Sequence, residues 1–242
     1  MKIIASASLK GGCGKSTSAV MLASSLPGKV LLIDLDHNNN ATDATLREYD
    51  PLEISERNIY HVLTGKIKAT AAIFHSTFGQ GFDVIPAAPI LARLSVECAG
   101  DPGVLLRFGS SLRRLDYDYI VLDTPPALVL ELRAALYAAD LVLCPIQLGR
   151  WTLQGFDLIS AEINNVLEAI GKGPTLRALP AMVSPTEVDN MRELLQNTPF
   201  THASIPRVSS LKNTQNTATA PKDGSIAAEA YMALAKEVQS WD

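Results

Sequence analysis

The sequence predicts an α/β fold, a doubly wound and mostly parallel sheet with helices on both faces. Three observations carry that expectation. An apolar run, Ile3-Ile4-Ala5-Ser6-Ala7, leads into the glycine-rich stretch Leu9-Lys10-Gly11-Gly12-Cys13-Gly14-Lys15-Ser16-Thr17 and then into the helical pattern Ala19-Val20-Met21-Leu22-Ala23. Two further apolar runs, 29–33 and 117–122, each lead directly into an aspartate. Continuous apolar runs suit strands covered on both faces, and acids at their carboxyl ends suit a site at the sheet's edge. With 242 residues and 47% hydrophobic content the chain can bury one large core, and it reads as a single domain, 1–242.

Composition narrows the class. A net charge of −4 argues against a protein that coats nucleic acid over its whole surface, while leaving room for a local basic patch. Cys13, Cys98 and Cys144 are odd in number and widely spaced, which suits a reducing cytoplasm rather than a disulfide framework. The chain opens straight into its first strand without a secretion signal, and no apolar run approaches a membrane span in length.

The glycine-rich stretch reads as a phosphate-binding loop, so a P-loop nucleotide hydrolase is expected. Its glycines permit the tight, partly left-handed turn in which the N–H groups of Gly11, Gly12, Cys13 and Gly14 point inward, and the following helix adds its positive end. Lys15 then reaches the β- and γ-phosphates, Ser16 offers a hydroxyl to Mg²⁺, and Thr17 meets an α-phosphate oxygen. The first glycine of the common GxxxxGK[ST] pattern is Leu9 here, and an extra lysine, Lys10, precedes Gly11.

The pattern KGGxGK[ST] resembles the deviant Walker A loop of the ParA/MinD family of ATPases. That resemblance implies that Lys10 crosses a dimer interface to the nucleotide held by a partner copy. It implies ATP and Mg²⁺ as cofactors and a sandwich homodimer when ATP is bound.

Taken in order, the first helix is expected from about Ser16 to Leu26, stopped by Pro27-Gly28. Strand two, Lys29 to Ile33, ends in Asp34-Leu35-Asp36, two carboxylates on one side of an extended segment. The continuation His37-Asn38-Asn39-Asn40-Ala41-Thr42 resembles the DxDPQxNAT segment of ParA proteins, with His37-Asn38 in place of Pro-Gln. The resemblance implies that Asp36 positions the hydrolytic water and that Asp34 supports the metal. The substitution bears on hydrolysis rate rather than on nucleotide binding.

From Pro51 to Ala99 the pattern suggests two short helices around Ile59-Leu63 and Ala72-Ile73-Phe74, broken near Gly65, then a strand at Phe82 to Pro86. His61 and His75 lack a second ligand at metal spacing and read as surface histidines. Cys98-Ala99-Gly100 resembles the cluster-cysteine context of the nitrogenase iron protein. The companion cysteine expected after Asp123 is missing from Thr124 to Leu130, so no iron–sulfur cluster is expected, and Cys98 and Cys144 read as small apolar residues.

A helix from Val104 to Leu115 leads into Tyr117 to Asp123, the Walker B position, where Asp123 can hold a Mg²⁺-bound water against Ser16. Thr124-Pro125-Pro126 resembles the D-x-P-P turn of ParA proteins. Ala139 to Ile146 is the next strand. A long helix from about Thr152 to Ala169 places Phe156, Ile159, Ile163, Val166, Leu167 and Ile170 on one buried side. Arg150 and Trp151 stand at its entrance, either as interface residues or as a local packing staple. A strand at Leu176 to Val183 and a helix at Glu187 to Leu195 follow.

Ser204-Ile205-Pro206-Arg207 resembles the family's IPR turn beside the adenine, which makes Pro206 and Arg207 candidate neighbours of the base. The closing segments, 220–225 and 227–238, resemble the last loop and helix of ParA. The end, Lys236 to Asp242, is not the basic amphipathic helix with which MinD-type proteins lie on membranes, so no membrane partner is expected.

The resemblance, closest to the short Soj-like ParA proteins, implies partition or positioning of a plasmid, a chromosome or another cargo. It implies non-specific DNA binding, a ParB-like adaptor that stimulates hydrolysis, and a cytoplasmic, nucleoid-associated location. A chain starting at strand one leaves no room for the N-terminal helix-turn-helix of longer plasmid ParA proteins. Candidate DNA contacts are Arg192, Arg207, Lys212 and Lys222, which read equally as scattered solubilising charges. Two other functions stay open: a nucleotide-switched module that recruits a protein with slow hydrolysis, and a MinD-like membrane switch.

Overall fold

The computed structural model describes residues 1–101, 103–147, 150–209, 211 and 217–241, with the backbone alone for 150–153. Its strands are β1 (Lys2–Ser6), β2 (Val30–Asp34), β3 (Phe74–Ser76), β4 (Phe82–Ile85), β5 (Tyr119–Asp123), β6 (Leu141–Ile146), β7 (Thr175–Val183) and β8 (Ile205–Pro206). They pair in the order β3-β4-β2-β5-β1-β6-β7-β8, all parallel except β3, which runs antiparallel to β4.

Alternation along the strands builds two hydrophobic layers. Ile3, Ala5, Leu31, Ile33, Ile120 and Leu122 face one side; Ile4, Val30, Leu32 and Val121 face the other. The helices in chain order are α1 (Lys15–Ser25), α2 (Asn40–Thr45), α3 (Pro51–Glu56), α4 (Ile59–Leu63), α5 (Leu94–Glu97), α6 (Val104–Leu112), α7 (Leu130–Ala138), α8 (Arg150–Ile170), α9 (Pro185–Leu194) and α10 (Ile226–Ser240). α4 and α6 to α9 cover the first layer, and α1, α2 and α10 cover the second.

This is the doubly wound sheet that the apolar runs predict. Its register sets up the site. Ser6 pairs with Asp123, and Asp123 pairs with Asp34, so the carboxyl ends of β1, β5 and β2 lie side by side. The chain leaves β1 toward β2 on one side, and β6 and β7 continue the sheet on the other. A crevice opens at such a switch point.

Two local expectations, for Phe74 and Leu167, are corrected, and two segments that the sequence pattern left unassigned fold as helices. Phe74 belongs to the edge strand β3, not to a helix, and packs edge-on against Tyr49 at 5.0 Å between ring centroids. The Asn-rich stretch after Asp36 turns into a helix, Asn39 taking a left-handed φ of 46° as the N-cap of α2. The segment 130–138, without a regular periodic signal, forms α7. Leu167 is half exposed, because it lies one step off the stripe of Phe156, Ile159, Ile163 and Val166, all buried.

Candidate nucleotide-binding site

The loop between β1 and α1 needs glycine at two places. Gly12 has φ of 70° and Gly14 of 89°, in the region where a side chain is strained. Gly14 is also the N-cap of α1 and brings no side-chain cap, so the helix's first-turn donors are left to the solvent or to an anion. A cavity of about 530 Å³ opens over this loop, and Gly11, Gly12, Gly14, Lys15, Ser16, Thr17, Asp36 and Pro126 form one end of it. Cys13 instead turns inward, its buried thiol donating to the Lys10 carbonyl at 3.2 Å.

Both loop lysines rest on neutral acceptors. Lys15 is buried and donates from Nζ to the Lys10 carbonyl at 3.1 Å. Lys10 donates from Nζ to Oε1 of Gln147, just past β6, at 3.1 Å. A brace holds the strand ends beneath them: the Thr124 hydroxyl donates to the Ser6 carbonyl at 2.8 Å, and the Ser6 hydroxyl donates to the Lys15 carbonyl at 3.1 Å.

The three aspartates are all buried but differ in what they hold. Asp34 is fully committed. Its Oδ1 accepts the Asp36 N–H at 3.0 Å, and its Oδ2 accepts both the N–H and the hydroxyl of Thr42, at 2.9 and 2.8 Å. Thr42 in turn accepts the Ala87 N–H at 2.9 Å, tying the end of β2 to the loop after β4. Asp36 lines the cavity with Oδ1 accepting the Asn38 backbone and side-chain amides at 3.0 and 2.9 Å. Asp123 has no hydrogen-bond partner on either oxygen, although the Ser16 hydroxyl and the Lys15 ammonium lie nearby.

Burial therefore pushes the Asp34 carboxyl up to about 6, against the pull of its three hydrogen bonds. Asp123 is pushed well above the usual carboxylate range, first by burial and then by the neighbouring charge of Asp34. A lone buried carboxylate facing a serine hydroxyl is a cation's place. Among the described residues no three His, Cys, Asp or Glu side chains converge into a closed cage, so this place suits a cation that keeps water and phosphate ligands.

The cavity's far end is made by Met182, Ile205, Pro206, Arg207, Val208 and Tyr231. Arg207 donates from Nε to the Met182 carbonyl at 3.2 Å, and its guanidinium lies 3.6 Å from Glu187. Met182 takes φ of 55°, the bend that turns β7 over the cavity. The Tyr231 hydroxyl pairs with that of Ser18 at 3.1 Å, joining α10 to α1 under the pocket, and burial holds its phenol well above the usual range.

The phosphate loop, Asp36 and the Pro206-Arg207 turn line one cavity, while Asp34 and Asp123 are fully buried and do not line it. Sequence reasoning missed Thr42, Met182, Tyr231 and Gln147. Thr42 could have been found from its place in the NAT-like segment; the other three carry no local signal. Of the suggested DNA contacts, Arg192 is tied to the Thr201 and His202 carbonyls and Arg207 to the cavity wall, while Lys222 is exposed. Lys212 and the side chains of Arg150 and Trp151 lie outside the described residues. Cys144 is buried in β6 with its thiol pushed up to about 12, an inert packing residue.

Residues 1–175 match a family described as an AAA domain, AAA_31. Over 184 residues the chain is 38% identical to the chromosome-partitioning ATPase Soj of Thermus thermophilus, an alignment covering 75% of this chain and 68% of that protein. The chain belongs to the ParA/Soj family of ATPases. The sporulation initiation inhibitor protein Soj of Bacillus subtilis is 30% identical over 258 residues, 98% of each chain. A solved structure from Borrelia burgdorferi, described as a plasmid partition protein bound to AMPPNP, superposes with a TM-score of 0.83 at 26% identity over 98% of both chains. In this ParA/Soj ATPase no helix among the described residues is long and apolar enough to cross a membrane.

Proposed function

We propose that residues 1–242 form one domain that binds Mg·ATP in this cavity, closes into a homodimer and partitions or positions a DNA molecule or another cargo, hydrolysis resetting the cycle. The observation that carries this is the single cavity joining the phosphate loop, Asp36 and the Pro206-Arg207 turn, together with the buried, unpartnered Asp123 near the Ser16 hydroxyl.

The triphosphate lies along Gly11 to Thr17, where backbone donors and the α1 terminus receive its charge. Lys15 leaves the Lys10 carbonyl for the β- and γ-phosphates, a change from a neutral to an anionic acceptor. Ser16 and Asp123 would hold Mg²⁺, which would supply positive charge against the charge developing on the phosphates. Asp34, its oxygens already taken, acts by fixing the turn that carries Asp36. Asp36 accepts a hydrogen bond from the attacking water with Oδ2, Oδ1 being held by Asn38. Lys10 of each protomer serves the γ-phosphate of its partner, so the chemistry is chiefly electrostatic. The base stacks in the apolar end near Pro206, with Arg207 and Met182 at its edge.

The family relationship supports a ParB-like adaptor as the stimulating partner, and non-specific DNA, met partly through Lys222, as the surface on which the ATP dimer rests. A cytoplasmic, nucleoid-associated protein follows from that reading. Sedimentation of the wild type and Lys10→Ala with Mg²⁺ and either ADP or AMPPNP, then with a duplex of arbitrary sequence, tests it. The expected result is a dimer only for wild type with AMPPNP, and DNA uptake by that dimer. A dimer without DNA uptake supports the protein-recruiting switch instead, and a monomer in every condition refutes the role given to Lys10.

A further inference from the structure

We infer that Gln147 is the positioning residue for Lys10, an acceptor within the same protomer that parks the lysine until a partner's nucleotide takes it. This rests on the proposed role of Lys10 across the dimer and adds the residue that sets its threshold.

The Lys10 ammonium donates to Gln147 Oε1 at 3.1 Å and meets no carboxylate among the described residues. Its backbone is pinned at the same time. The Lys10 carbonyl receives the Lys15 ammonium at 3.1 Å and the Cys13 thiol at 3.2 Å, and its N–H points to the Ser8 hydroxyl at 3.4 Å. The lip of the loop is therefore fixed on one side by the phosphate-loop lysine and on the other by the turn after β6. α8, which follows that turn, runs against the same lip: a methyl group added at Gly155 would touch the Leu9 Cβ at 3.7 Å.

The chemistry of the acceptor matters. An amide oxygen carries no net charge, so it holds an ammonium in place yet yields to a phosphate, whose negative charge adds Coulomb attraction to the hydrogen bond. A carboxylate at 147 would compete with the phosphate on equal terms. Nucleotide binding supplies the first release, since Lys15 must leave the Lys10 carbonyl to reach phosphate, which loosens the lip that Gln147 holds. Parking Lys10 in its own protomer also keeps a positive side chain from facing its symmetry mate in the nucleotide-free state, where two such lips would repel.

Two substitutions at this residue then act in opposite directions. Gln147→Ala frees Lys10 and tightens the AMPPNP-bound dimer, by roughly fourfold if each of the two parked hydrogen bonds is worth about a factor of two. Gln147→Glu strengthens the parking contact and weakens the dimer by about tenfold or more. The experiment is sedimentation velocity of the full chain over a concentration series with Mg²⁺ and AMPPNP, for wild type and both variants. It is paired with amine acylation of the nucleotide-free protein read by mass spectrometry at Lys10, where the Ala variant reacts a few-fold faster than wild type. Opposite shifts with faster Lys10 labelling support the inference. Shifts in the same direction, or none, in a protein whose wild type dimerises overturn it and make Gln147 merely structural. A wild type that does not dimerise with AMPPNP overturns the underlying role of Lys10, a different and recognisable failure.

Discussion

Asp123→Asn should stabilise the nucleotide-free protein while removing its Mg²⁺-dependent hydrolysis. Asp123 is wholly buried, neither oxygen has a hydrogen-bond partner, and Asp34 stands opposite it in the register. Asparagine keeps the shape and removes the charge. The size follows from the neighbouring acid: raising the Asp34 carboxyl from 3.8 to about 6 represents roughly 3 kcal/mol at neutral pH by the usual conversion. Asp123 is pushed well above the usual carboxylate range, burial and the Asp34 charge outweighing the pull of the nearby Ser16 hydroxyl and Lys15 ammonium. Allowing about 1 kcal/mol for an amide that is itself poorly paired leaves a net gain of at least about 2 kcal/mol, or a Tm higher by about 4–8 °C.

The pH dependence has a definite sign. A carboxyl raised in the folded state binds a proton there that the unfolded chain has already released, so stability falls as pH rises between the unfolded and folded values. The advantage of Asp123→Asn is therefore small near pH 4, where the wild-type group is itself neutral, and grows through pH 6 and beyond. Thermal denaturation from pH 4.5 to 8, without nucleotide, reads it. With Mg²⁺ and ATP in excess the order reverses, because the wild type gains ligand-binding energy that the variant forfeits. A variant less stable than the wild type at pH 7.5 without nucleotide would refute the account of Asp123 as an unpaired charge.

Thr42→Val removes one donor, the hydroxyl, from Asp34 and the acceptor of the Ala87 N–H, and should cost about 2–4 kcal/mol in urea denaturation with a lower kcat; a loss under 1 kcal/mol would mean that water replaces the hydroxyl. Only the hydroxyl goes in that variant; the Thr42 N–H remains on Asp34. Gly14→Ala forces a side chain into φ of 89° and should abolish binding of a fluorescent ATP analogue at a cost of about 1–2 kcal/mol in stability, and retained affinity would show that the loop adopts another turn. Lys222→Glu should weaken duplex binding several-fold and lower its salt slope by about one without changing ATP affinity, and an unchanged affinity at fixed salt removes Lys222 from the DNA surface.

What could be read in the chain was what is contiguous in it. The phosphate loop is one βα turn, so glycine, lysine and hydroxyl residues must follow one another; Asp34, Asp36 and Asp123 end apolar strands, and strand ends are visible as breaks in hydrophobic runs. The partners of these groups come from elsewhere in the fold. Gln147 reaches Lys10 only because β6 lies beside β1, and Tyr231 reaches Ser18 only because α10 folds back on α1. α7 was missed because its face is made of Leu132, Ala134, Ala135, Leu136 and Ala138, a nearly all-round burial that leaves no periodic contrast. β3 was misread because three residues show too little of either period.

The charged groups of the site have mismatched partners. Two lysines rest on a carbonyl and an amide, neither of which can neutralise them, and an aspartate beneath them rests on nothing. The two signs of charge do not cancel each other directly: Asp123 forms no ion pair with either lysine among the described residues. An anion alone would satisfy Lys15 but set more negative charge beside Asp123; a cation alone would satisfy Asp123 but add to the positive charge of the loop. A phosphate chain with its divalent ion does both, so binding of the two should be strongly cooperative. Titration calorimetry of ATP with and without Mg²⁺, in wild type and in Asp123→Asn, isolates that coupling. In the wild type Mg²⁺ should raise ATP affinity by tenfold or more, and in the variant most of that gain should vanish; equal gains in both proteins would mean that the cation is held by phosphate and Ser16 alone.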